Sequence, residues 1–206
     1  MDLMLADLID KPPQMPWRLR FDRDCLIVLR KSLHAVTPEE GCALLLGDSG
    51  PEARVRVVWP CCNVWCPGLQ GLEEHPGRGG GVLPSRQTRF ALDPREQIAA
   101  QRWGRQRGLH VVGSAHSHLG GAPRPSENDR RWAAADGVVV IDAGSGGLAG
   151  WWMERSTPGR GSDPVSPAKV HPLPLVDLDG ASLDSTGLSA INSHCRTPDD
   201  GSASGV

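Results

Sequence analysis

The chain has 206 residues, a near-balanced charge (22 Lys and Arg against 24 Asp and Glu, formal net charge −2) and 39% hydrophobic residues. That length supports one domain with a sizeable core plus flanking segments. The charge balance offers no basic surface for nucleic acid or an anionic membrane face, and no apolar run reaches the length of a membrane span.

In chain order, residues 1–16 end in Lys-Pro-Pro-Gln-Met-Pro16 and read as a flexible N-terminal arm. Its first ten residues carry aspartates among the apolar positions and no basic start, unlike a signal peptide, so a cytoplasmic location is expected. The six cysteines are then expected as reduced thiols. Trp17–Phe21 alternates and predicts a strand. Asp22 or Asp24 caps a helix over Cys25–His34, with His34 a helix-end histidine facing the C-terminal dipole. A strand follows from Glu40 to Leu46, with Glu40 at its start and Glu39 turned to the other side. Gly47–Pro51 is a turn, and Ala53–Trp59 alternates as the next strand. Residues 66–88 are crowded with Gly and Pro and predict a flexible insertion loop.

Thr88–Leu92 reads as a short strand, and Asp93 caps a helix over Pro94–Arg107 with proline at its first position. Ile98, Ala99 and Trp103 give that helix a partial apolar face, and its arginines a solvated one. Leu109–Ala115 is short, apolar and β-branched, as a buried strand is. Gly137–Asp142 and Leu148–Glu154 form two more strands around a glycine turn. From residue 157 to 206, Pro, Gly, Ser and Asp predict a mostly disordered tail, in which only His171–Asp177 could add an edge strand.

The chemistry lies between the strand ending at Ala115 and the next helix. His116 and His118 are two apart, so a strand points both to one face. Gly120, Gly121, Pro123 and Pro125 then force a loop. Ser126 is a good N-cap for a helix over Glu127–Ala135, which puts Asp129 on the first turn, within reach of the histidine pair. Two imidazoles and one carboxylate are a three-ligand set for Zn²⁺ with a fourth position open, the mark of a catalytic zinc. Ser126 would stand beside such a metal, able to donate to a developing oxyanion.

His116-Ser-His118, seven residues, Ser126, two residues and Asp129 resemble the JAMM motif of the MPN-domain metalloproteases. That family carries an upstream glutamate in a Pro-x-Glu-x-Cys-Gly-x-Leu-x-Gly stretch, which Pro38-Glu-Glu40-Gly-Cys42-Ala-Leu-Leu-Leu-Gly47 resembles, with Ala43 for the usual glycine. The resemblance covers roughly residues 17–156. It departs at Leu119, where the family commonly has proline.

The resemblance implies a single MPN-like α/β domain, similar to the cytidine-deaminase fold, with a mixed central sheet flanked by helices. It implies Zn²⁺ held by His116, His118 and Asp129, Glu40 as general acid/base, and Ser126 as oxyanion stabiliser. It also implies a peptidase or isopeptidase; prokaryotic members often act at the Gly-Gly C-terminus of ubiquitin-like sulfur-carrier proteins. Two other functions fit the residues: a non-catalytic scaffold binding partner proteins, and a zinc hydrolase of a small amide.

Overall fold

The computed structural model describes residues 14–69, 84–155 and 166–183. Eight strands and three helices follow in the order β1 (Arg18–Phe21), α1 (Arg23–His34), β2 (Cys42–Asp48), β3 (Glu52–Cys61), α2 (Pro94–Arg105), β4 (His110–Ser117), α3 (Glu127–Trp132), β5 (Gly137–Asp142), β6 (Leu148–Glu154), β7 (Lys169–Leu173) and β8 (Leu175–Val176). All eight strands join one mixed sheet in the order β7-β6-β5-β4-β2-β3-β1-β8. The expected mixed α/β architecture is present.

Local signals explain the helices. Asp22 caps α1, its carboxylate accepting from the Asp24 amide. Leu26, Leu29 and Leu33 recur at helical spacing and are buried, so α1 sits on one face of the sheet among Leu19, Phe21, Leu45, Val55, Val140 and Leu173. Each fully buried leucine there contributes roughly 1.5–3 kcal/mol. Asp93 caps α2, with Pro94 in the first turn. This helix lies on the opposite face, against Leu44, Leu46 and Trp59. It makes contact through Ala100 and Gly104, because a Cβ on Gly104 would come within 3.1 Å of Leu46. The apolar face expected from Ile98 and Ala99 is therefore corrected: this close approach rotates Ile98 out to 64% exposure.

Segment 166–183 lies in the stretch expected to be mostly disordered, and it adds strands to the sheet. Composition predicted disorder, but Ala168, Leu173, Leu175, Val176 and Leu183 are all buried. The strand expected at 171–177 is split between β7 and β8, which lie at opposite ends of the sheet with only Pro174 between them. One residue spans only a few ångströms. The sheet must therefore curl around α1 until its two edges nearly meet. Leu19 donates to the Pro174 carbonyl at 2.9 Å, and a Cβ on Gly150 would lie 2.5 Å from Leu175. The remainder of the expected tail, most of the arm and residues 70–83 of the insertion loop lie outside the described residues.

Two further expectations are corrected. Thr88–Leu92 forms no strand, only an isolated bridge between Asn63 and Leu92. The helix expected to reach Ala135 ends at Trp132. Among the described residues no helix is long and apolar enough to cross a membrane.

Leu175→Ala should therefore destabilise the protein by about 2–5 kcal/mol, and Ile98→Ala by less than about 0.5 kcal/mol. Urea unfolding of the two variants reads the difference; equal losses would contradict the closing role of segment 166–183.

Candidate metal centre

Strand β4 runs past its expected end and carries His116 within it. His116 pairs with Cys42 of β2 on one side and Ile141 of β5 on the other. Its ring is fully buried and stacked against Phe90, with centroids 4.2 Å apart. His118 follows just beyond β4, its amide donating to the Asp142 carbonyl at 3.0 Å. The spacing of two brings the rings to one side, and their Nε2 atoms lie 3.1 Å apart.

The loop after His118 turns at Gly120 and Gly121, whose φ values of 131° and 89° suit glycine. It is held by Trp151 Nε1, which donates to the Pro123 carbonyl at 2.8 Å. Ser126 then caps α3 in a reciprocal box. Its Oγ accepts from the Asp129 amide at 3.1 Å, and Asp129 Oδ2 accepts from the Ser126 amide at 2.6 Å. The capping box folds the Asp129 carboxylate back over the helix start. The same Oδ2 lies 3.6 Å from His116 Nε2 and 3.5 Å from His118 Nε2.

Among the described residues, His116, His118 and Asp129 form a group that could hold a metal ion. Three atoms with lone pairs this close could share one metal ion. A tetrahedral zinc with ligand bonds of 2.0–2.1 Å sets its ligand atoms about 3.3 Å apart. The observed separations, 3.1, 3.5 and 3.6 Å, fit that figure.

Glu40 reaches the same cleft, which has a volume of about 240 Å³ and is also lined by His118, Leu119, Ser126, Asp129, Arg89, Asn128 and Trp132. Glu40 is only 7% exposed. Glu39, by contrast, lies 3.8 Å from Arg86 with its side chain 44% exposed. One detail is corrected: β2 begins at Cys42, so Glu40 stands before the strand and not at its first position. Ala43, at the family's glycine position, is a fully buried core residue. Leu119 is 39% exposed at the cleft rim.

The two carboxylates are driven in opposite directions. Burial raises the Glu40 carboxyl to about 7; His118 and Arg89 pull it down and Asp129 adds to the rise. Burial also opposes ionisation of Asp129, but the charge of His116 and hydrogen bonds from His116, His118 and Ser126 outweigh it and hold this carboxyl well below its usual range. For His118, burial is outweighed by the Asp129 hydrogen bond and charge and by Glu40, so its pKa is raised.

Sequence reasoning gave no role to several residues around the site. Phe90 backs His116. Arg89 crosses the cleft wall to the Asn128 carboxamide, whose oxygen accepts from it at 2.8 Å once the amide is turned to face the guanidinium, and lies over Trp132 at 5.8 Å. Asn63 and Ser117 bond to the backbone around Glu40. None of these carries a local signal, because each acts on residues distant in sequence. His34, expected as a helix-end histidine, lies 3.2 Å from the fully buried Asp142, alongside Arg30 at 3.1 Å.

Because folding raises the Glu40 pKa from 4.5 to about 7, the folded state binds the extra proton across that window. The contribution of this group to stability is full below pH 4.5 and is lost as pH rises toward 7. In metal-free protein, Glu40→Gln should flatten that part of the stability profile. Urea titrations at several pH values measure it, and an unchanged slope would contradict titration of this carboxyl in that range.

The family model for prokaryotic homologs of the JAB domain matches residues 22–154. A solution structure of a protein from Desulfitobacterium hafniense matches with a TM-score of 0.54 at 19% identity, covering 77% of this chain and 93% of that one, a likeness of fold. A solution structure of a protein from Salinibacter ruber is 26% identical, covering 79% of this chain and 94% of that one, with a TM-score of 0.47. No curated protein matches. The family match spans everything from the cap of α1 to the end of β6, the histidine pair, Asp129 and Glu40 included, and the chain belongs to the prokaryotic homologs of the JAB domain.

Proposed function

We propose that this protein is a zinc-dependent metallopeptidase or isopeptidase. The observation that carries the reading is the convergence of His116 Nε2, His118 Nε2 and Asp129 Oδ2 in a cleft that also holds a buried glutamate with a pKa of about 7. His116, His118 and Asp129 are assigned as ligands. Zinc held there supplies Lewis-acid chemistry: it polarises a carbonyl and makes water a usable nucleophile near neutral pH.

Glu40 takes the proton of the attacking water and passes it to the leaving amine. A carboxyl in this position can accept a proton from water and return it to the amine. Ser126 stabilises the oxyanion. Its oxygen accepts from the Asp129 amide, and its hydroxyl, a partner of the Asp129 carboxylate, carries a rotatable hydrogen that can turn to the oxyanion. Arg89 and Asn128 both line the cleft.

For substrate we propose a protein with an extended Gly-Gly terminus, such as a ubiquitin-like sulfur carrier. The support is the family resemblance together with a cleft edged by Leu119 and Gly120. The test is to incubate zinc-loaded protein with Gly-Gly-extended carrier fusions and with a panel of small amides, reading products by mass spectrometry. Cleavage after Gly-Gly supports the substrate; cleavage of small amides alone moves the activity to that class; cleavage of neither, with zinc bound, counts against catalysis.

Glu40→Gln should reduce turnover by about 10²-fold or more while zinc content stays at the wild-type level. His116→Ala should lose most of the zinc in elemental analysis. Full activity in the first variant would exclude the base, and unchanged stoichiometry in the second would exclude the ligand.

A further inference from the structure

Glu40 precedes β2 by two residues, so no strand ladder holds it. It is also a buried carboxylate, which water would draw out of the cleft. Something other than the β2 ladder must fix it. The backbone of Glu40 and Gly41 has four polar groups, and each is bonded. The Glu40 amide donates to the Arg86 carbonyl at 2.7 Å. The Glu40 carbonyl accepts from Asn63 Nδ2 at 3.0 Å. The Gly41 amide donates to Ser117 Oγ at 2.8 Å, and the Gly41 carbonyl accepts from the Ser117 amide at 2.9 Å.

Two of these partners are side chains, and both lead back to the candidate centre. Ser117 is fully buried between His116 and His118, so its hydroxyl ties the glutamate turn directly to the histidine pair. Gly41 has no room to shift on that side, because a Cβ there would sit 2.2 Å from the Leu33 carbonyl oxygen. Asn63 works from the other side. Besides Glu40, its Nδ2 donates to the Arg89 carbonyl at 2.9 Å, and its Oδ1 accepts from the Trp65 and Ala91 amides, each at 3.1 Å. Its amide thus uses both donors and both acceptor positions. Asn63 therefore fixes Glu40 and, in the same set of bonds, the segment carrying Arg89 and Phe90, the ring that backs His116.

We propose that Asn63 and Ser117 are positioning residues that clamp Glu40 from opposite sides, taking the place of the missing ladder at the start of β2. The inference rests on the metallopeptidase reading for its catalytic consequence, but the clamp itself can be measured without activity.

The experiment uses the full chain with Asn63→Ala, Asn63→Asp and Ser117→Ala. Asn63→Asp keeps the acceptor oxygens and the size and removes the donors. Amide hydrogen exchange is read by NMR on the metal-free, folded proteins. The Glu40 and Ala91 amides should exchange about tenfold faster or more in Asn63→Ala, the Glu40 amide alone in Asn63→Asp, and the Gly41 amide in Ser117→Ala. Zinc stoichiometry should match wild type.

On a Gly-Gly-extended carrier fusion, kcat should fall by about ten- to a hundred-fold with KM within about twofold. The same substitutions placed on Glu40→Gln should cost nothing further in single-turnover assays, since they act through the carboxylate. Unchanged exchange at these amides would overturn the clamp, as would equal losses with and without Glu40. A wild-type protein that cleaves nothing would defeat the hydrolase reading, and the exchange result would still decide the clamp.

Discussion

The antiparallel pairing of β2 with β4 is the constraint on which the cleft depends. It sets Cys42 opposite His116, so the residues just before Cys42 must lie beside those just after His116. Glu40 and His118 thereby meet although 78 positions separate them in the sequence. Slippage of that register by one residue would turn His116 to the other face of the sheet and Leu45 out of the core. The core residues that resist slippage, Ala43, Leu45 and Ala115, alternate on the α1 side of the same two strands. Packing of the core and aim of the site are in this way one requirement.

The local electrostatics then separate two carboxylates of the same chemical kind. Asp129 is surrounded by donors: its own cap residue and two imidazoles. Glu40 is surrounded chiefly by desolvation. One is held ionised, while burial raises the pKa of the other to about 7. The helix-capping box shows how little the chain needs for the first effect. An arrangement that satisfies the orphan amides of a short helix also presents an oxygen to the histidines.

Local features were legible in the sequence because they follow from residues that are near neighbours in the chain. The aspartate caps of α1 and α2, the alternation in β3 and the two-residue spacing of the histidines all belong to this class. Glu40 was read from its motif and from strand parity against Glu39, though β2 begins only at Cys42. Thr88–Leu92 misled because the composition of a strand says nothing about where its hydrogen bonds go. There, the side chain of Asn63 takes the Ala91 amide and the Arg89 carbonyl that a neighbouring strand would otherwise pair. The tail misled for the opposite reason. Prolines and aspartates in 166–183 suggest disorder, while the leucines among them fit gaps created by strands more than a hundred residues earlier.

The way in which β7 and β8 straddle Pro174 has a consequence for biogenesis. β8 pairs with β1, and on the helix that bears Asp129 the Arg130 carbonyl accepts from the Ala168 amide while the Arg130 guanidinium donates to the Ala168 carbonyl. During synthesis, the residues assigned to zinc leave the ribosome well before the strands that brace them. Until Leu175 emerges, β1 shows a bare edge and α1 an uncovered flank, a state open to chaperones and to mispairing. Contacts of such long sequence separation also make folding slow. The nascent chain therefore carries His116, His118 and Asp129 for a time without the frame that holds them in place.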